Sequence, residues 1–90
     1  MQKIKTTSIT MKDLMSLADK QGYKCSLTGQ ELTTGNIGAD HIQPYAAGGT
    51  HEIDNIQLIT KEVNTMKGTL SQERFVELCM MVHDHQCGKK

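Results

Sequence analysis

Residues 40–49 read DHIQPYAAGG and residues 55–68 read NIQLITKEVNTMKG, and the fold turns on these two stretches. The first closes a short β-prone run, Ile37 to Ile42. Pro44 removes a backbone donor, and Gly48 and Gly49 favour turns, so no regular element continues through them. The second opens on another apolar run, residues 56 to 59, after which Thr60 caps KEVNTMK and Gly68 closes it. Strand, loop, strand and short helix therefore follow one another directly.

Outward from this centre, residues 10 to 21 (TMKDLMSLADKQ) place Met11, Leu14, Leu17 and Ala18 on one helical face. Thr10 is the candidate N-cap, Asp13 sits in the first turn and Gly22 lies just past the end, which predicts a helix of about three turns. From Gly22 to Gly38 the chain turns to Gly, Thr, Ser and Asn, a structured loop with at most short strand pieces around Leu27 and Leu32. On the other side, Ser71 opens QERFVELCMMVHDHQ. There Phe75, Leu78, Cys79 and Val82 share a face and Glu73 sits near the positive end of the helix dipole, so the longest helix is expected here. No repeat, low-complexity segment or linker interrupts the order helix, loop, strand, loop, strand, helix, helix, and residues 1–90 are expected to form one α+β domain.

Composition bounds the function classes. A chain of 90 residues buries only about 60 to 65% of its unfolded surface, so the core is thin and a stabilising metal would not surprise. Phe75, Tyr23 and Tyr45 are its three aromatic residues, and the core should be aliphatic with the six Met filling gaps. No stretch has the roughly 18 apolar residues of a membrane span, and the start, MQKIKTTSIT, lacks the apolar segment of a secretion signal. Cys25, Cys79 and Cys87 are odd in number and irregularly spaced, which argues against a disulfide scaffold and for a reducing, cytoplasmic setting. Ten basic residues balance ten acidic ones, with no basic tail to announce nucleic acid.

Function must then be carried locally. Within the central stretch, polar residues occupy positions where strands and a helix should be apolar: Asp40, His41, Asn55 and Asn64. Taken singly, each has a plain structural role, as turn former, half-buried strand histidine, loop residue or solvated helix position. Together, a carboxylate and a carboxamide supply oxygen ligands for a hard divalent cation such as Mg²⁺ or Mn²⁺, leaving room for water and a phosphate. A histidine beside that pair can take a proton from water.

From about Cys25 to Gly68 this spacing closely resembles the HNH endonuclease family, the ββα-metal nucleases. The resemblance implies a small ββα-metal core, two short antiparallel strands plus a helix, with flanking N- and C-terminal helices. It implies that Asp40 is a metal ligand, that His41 is the general base, and that Asn55 bonds backbone in the loop between the strands and so aims His41. Asn64 falls where the family places its second metal ligand, most often His, so this copy reads H-N-N. Adjacent strand residues point to opposite faces, yet Asp40 and His41 must serve one site, so the backbone is expected to bend here. Many members hold structural zinc with two Cys-x-x-Cys pairs. Here those positions are Cys25, Thr28, Thr60 and Val63, and zinc needs four N or S donors, so that site cannot form as written.

The implied activity is metal-dependent hydrolysis of DNA phosphodiester bonds, giving 5′-phosphate and 3′-hydroxyl ends, with one divalent cation, Mg²⁺ or Mn²⁺. One site per chain implies nicking of one strand, by a monomer or within a homodimer. Lys67, in the N-x-x-K-G pattern shared with the family, is the leading phosphate contact, with Lys61 beside it and His51 in the loop; Lys24, Arg74, Lys89 and Lys90 are further cations. Zero net charge predicts weak, salt-sensitive non-specific binding. Two rivals stand beside this reading: a non-catalytic nucleic-acid-binding module, and a small zinc-binding interaction domain built on Cys25, Cys79, His83 and Cys87.

Overall fold

A computed structural model describes residues 9–88, so Lys89 and Lys90 lie outside the described residues. Helix α1 spans Met11–Lys20 and opens on a capping box: the Asp13 amide donates to Thr10 Oγ1 at 3.1 Å, and the Thr10 amide donates to Asp13 Oδ2 at 3.0 Å. Leu14, Leu17 and Ala18 turn to the core, whereas Met11 remains exposed. Gly22 and Tyr23 then adopt left-handed φ values of 65° and 60°, reversing the chain into a compact knuckle. Within it Lys24 bridges Glu31, and the Cys25 amide donates to the Gln30 carbonyl at 2.7 Å. The strand pieces expected around Leu27 and Leu32 thus reduce to this one bridge.

Strands β1 (Ile37–His41) and β2 (Ile56–Thr60) form an antiparallel pair with Ile37 opposite Thr60, Asp40 opposite Gln57 and His41 opposite Ile56. All five residues of β2 are buried, because its second edge is occupied too. There Leu58 behaves as if paired to a third strand: its carbonyl accepts from the Ser26 amide and from Gln21 Nε2, and its amide donates to Gln21 Oε1, each at 3.0 Å. One Gln side chain therefore stands in for a peptide group and satisfies both backbone polar atoms of Leu58.

Thr60 ends β2 and caps α2 (Lys61–Lys67), its Oγ1 accepting from the Val63 amide at 3.2 Å. Helix α3 (Gln72–His83) follows, capped by Ser71, and a π-helical turn, Asp84–Gly88, extends it. The fold is α+β, with the ββα unit of β1, β2 and α2 at its centre and α1 and α3 on its flanks. Ala18, Cys25, Leu32, Leu58, Ile59, Val63 and Phe75 form the core.

Two packing expectations are corrected. Met11, Met15, Met66, Met80 and Met81 are all exposed, because aliphatic side chains, Cys25 and Phe75 already fill so small a core. On α3 only Phe75 is buried; Leu78 is half-buried, and Cys79 and Val82 face outward, because the helix runs past the end of the layer that would cover them. No helix among the described residues is long and apolar enough to cross a membrane.

Candidate active site

The strand pairing stays regular through His41, and the bend comes one residue later, at Ile42 and Gln43, followed by a 3₁₀ turn at Tyr45–Ala47. Because His41 is the last residue of β1, its ring and the Asp40 carboxylate reach the same cleft around the strand end, resolving the conflict of faces. This cleft, of about 430 Å³, is lined by Asp40, His41 and Asn64 together with Tyr45, Lys67 and Thr69.

Asp40 is only 6% exposed, and both its carboxylate oxygens have partners. Gln57, directly across the ladder, donates from Nε2 to Oδ2 at 3.0 Å, and Lys67 Nζ lies 3.0 Å from Oδ2 and 3.3 Å from Oδ1. Gln57 is held in turn: its Oε1 accepts from Ser26 Oγ at 2.8 Å and its Nε2 reaches Gln72 Oε1 at 2.6 Å. The Asp40 carboxylate is thereby aimed by residues from β2, the knuckle and α3. Sequence reasoning passed over Gln57; the signal was an amide inside an otherwise apolar run, IQLIT.

Lys67, expected at a phosphate, lines the cleft with its ammonium turned onto Asp40. It is 1% exposed, and its ammonium also donates to the His41 carbonyl at 3.1 Å. A charge this deep needs a counter-charge and hydrogen-bond acceptors, which Asp40 and His41 provide. Lys61, by contrast, is exposed at the start of α2.

Asn55 ties the loop between the strands together. Its Oδ1 accepts from the Gln43 amide at 2.9 Å, and its Nδ2 donates to the carbonyls of Gln43 at 3.0 Å and Thr50 at 2.7 Å. Its own carbonyl accepts from Ile42 at 2.8 Å. The segments immediately after His41 and immediately before His51 are therefore fastened to one side chain. His51 is brought onto His41, with His41 Nε2 and His51 Nδ1 2.9 Å apart. The glycine pair serves this closure: Gly48 has φ 95°, and a Cβ on Gly49 would lie 1.9 Å from the Gln43 carbonyl oxygen.

A hard divalent cation suits the donor set. Asp40 offers a carboxylate and Asn64 an amide oxygen on one cleft wall, and a cationic group, the Lys67 ammonium, already sits against both Asp40 oxygens. Among the described residues, no three His, Cys, Asp or Glu side chains converge on a common metal position. Cys25, Cys79, His83 and Cys87 accordingly do not assemble: Cys25 is buried in the knuckle, and Cys79 and Cys87 are exposed.

The knuckle has its own chemistry at the four positions discussed for zinc. The Thr28 amide lies 3.4 Å from Cys25 Sγ, and Val63 packs in the same core cluster. Burial pushes the Cys25 thiol up, but hydrogen bonds from the Thr28 hydroxyl and from the backbone of Thr28, Leu27 and Thr60 outweigh it and hold the thiol below its ordinary value.

A family model described as HNH endonuclease matches residues 24–70, more than half of the chain. No curated protein matches it.

Proposed function

The chain belongs to the HNH endonuclease family, and on that premise we propose that it is a divalent-metal-dependent DNA endonuclease that hydrolyses phosphodiester bonds, nicking one strand per site. The observation that carries this reading is the sharing of one cleft by Asp40, His41 and Asn64. Asp40 and Asn64 would hold one Mg²⁺ or Mn²⁺. When bound, the ion would supply positive charge to a non-bridging phosphate oxygen and to the leaving 3′-oxygen.

The remaining work falls to side chains of this chain. His41 takes the proton of the attacking water as general base. Asn55, through its bonds to Gln43 and Thr50, keeps the His41 segment from swinging away from the cleft. Gln57 and Lys67 keep the Asp40 carboxylate in place. Lys61 and the outer nitrogen of His51 are the phosphate contacts on the rim; Lys67 joins them only by releasing Asp40. The products carry 5′-phosphate and 3′-hydroxyl ends.

One observation favours a second reading, a nucleic-acid-binding module without catalysis: the ammonium of Lys67 already neutralises Asp40. Supercoiled plasmid incubated with Mg²⁺, Mn²⁺, Zn²⁺ or EDTA separates the two. Nicked circles are expected with Mg²⁺ or Mn²⁺ and none with EDTA, and His41→Ala should slow nicking by about two to four decades. Plasmid shifted on a gel but uncut in every metal would establish the binding module instead.

A further inference from the structure

The geometry points to His51 as a positioning residue for His41, one that sets its tautomer and ring orientation; the inference rests on the nuclease reading, in which His41 is the base. The two imidazoles meet at His41 Nε2 and His51 Nδ1, 2.9 Å apart, with ring centroids separated by 5.1 Å and planes inclined at 34°. Two neutral rings joined at that distance share a single hydrogen, and which ring owns it decides what the other nitrogen of His41 can do. If the hydrogen is on His41 Nε2, then Nδ1 carries a lone pair and can accept a proton. If it is on His51 Nδ1, then His41 Nδ1 carries a hydrogen and cannot act as a base.

The nuclease reading requires the first arrangement, and the surroundings permit it. His41 Nδ1 makes no hydrogen bond to any described residue, and His41 lines the cleft that also holds Asp40 and Asn64. His51 is exposed, so its Nε2–H can be satisfied by water while its Nδ1 is left as acceptor toward His41. When His41 gains a proton at Nδ1, the same acceptor faces the Nε2–H of an imidazolium. The hydrogen bond then becomes charge-assisted and stronger than in the resting state. An interaction that strengthens as the proton moves is one that lowers the barrier.

The contact is also built into the loop. Ten positions separate His41 from His51, and the chain between them is fastened at both ends: Asn55 Nδ2 holds the Gln43 and Thr50 carbonyls, and the Gly49 amide donates to the Pro44 carbonyl at 3.0 Å. Gly49 passes so close to Gln43 that any side chain there would displace the loop. Asn55 therefore brings the two histidines together while hydrogen-bonding to neither ring, which gives its clamp a second consequence beyond steadying the backbone after His41.

The experiment compares the full chain with His51→Ala and His51→Asn. Asn places Oδ1 close to where Nδ1 of histidine lies, and an amide oxygen can only accept. Ring ¹⁵N NMR should report the Nε2–H tautomer for His41 in the wild type and in His51→Asn, and a tautomer mixture in His51→Ala. In Mg²⁺-supported nicking, kcat should fall about tenfold to a hundredfold in His51→Ala, beyond any rise in KM from the lost rim contact, and His51→Asn should restore most of the kcat. An unchanged His41 spectrum and unchanged kcat in His51→Ala would overturn the inference. So would a raised KM at constant kcat, which would make His51 a DNA contact alone. Absence of nicking by the wild type would remove the nuclease reading, while the ring spectra would still decide whether His51 governs the His41 tautomer.

Discussion

The knuckle around Cys25 and the cleft around Asp40 sit at opposite ends of β2, and α2 starts at the first and ends at the second. Each gathers side chains from segments distant in sequence, and in many members of the resembled family each would be organised by a metal ion. They have been built differently. At the knuckle, Cys25, Thr28, Thr60 and Val63 replace ion coordination with hydrogen bonds to one thiol and apolar packing around it. At the cleft, a buried carboxylate is paired with Lys67 and oriented by Gln57. A site whose only task is to hold the fold can be remade from packing and neutral hydrogen bonds. Chemistry that needs an anion keeps the anion and the supports that make its burial tolerable.

The sharpest break in that contrast is Asp40→Ala. It leaves the Lys67 ammonium buried without its counter-charge, and a loss of about 3 to 5 kcal/mol is expected in urea denaturation. That is a large share of the stability of so small a domain. Adding Lys67→Met should recover much of the loss, since an apolar pair of similar volume is tolerated where half an ion pair is not. Stability of the single variant equal to wild type would mean that the cleft does not depend on its charge.

Next in size is Asn55→Ala. Three side-chain hydrogen bonds to loop backbone disappear, at a cost of about 1 to 3 kcal/mol. Mn²⁺ affinity by calorimetry should be retained, because Asn55 donates nothing to the ion. Nicking should fall by roughly a hundredfold, because His41 loses its positioning. Joint loss of affinity and rate would place Asn55 in the metal shell and erase the distinction between aiming and ligation.

At the knuckle, Thr60→Ala removes the α2 cap and a neighbour of the thiol. About 1 kcal/mol of stability should be lost with no effect on the nicking rate, and Thr60→Ser should restore it. A rate defect would show that the two ends of α2 are coupled.

The smallest effect is a pH slope. The folded Cys25 thiol lies below its unfolded value of about 8.5, so its contribution is complete above that pH and is lost as pH falls through the folded value. Under reducing conditions, wild-type stability should decline from pH 9 toward neutrality by an amount that Cys25→Ala removes. Identical slopes for the two proteins would mean that the knuckle hydrogen bonds do not favour the thiolate.

Much of this architecture was legible in the chain. Thr10, Thr60 and Ser71 announced helix starts, and Pro44 with Gly48 and Gly49 announced the loop, because capping and turn chemistry act within a few residues. Asp40, His41 and Asn64 were singled out for being polar where apolar residues belonged, and they share the cleft. What spacing could not reveal was burial and partnership. Cys79 and Val82 continue an apolar helical row, yet they are exposed because no further layer lies over that part of α3. Lys67 reads as a surface cation in any local window, and only the proximity of Asp40, 27 positions earlier, turns it inward. Gln21 at the edge of β2, Gln57 under Asp40 and His51 against His41 likewise join residues whose separation in sequence carries no information about their distance in space. The sequence alone determined where helices and strands begin and end and which residue types could do chemistry, since those follow from local propensity. Which carboxylate is neutralised, by which ammonium, and which imidazole faces which other were decided by tertiary structure, because electrostatic and hydrogen-bond energies depend on distances that only the folded chain sets.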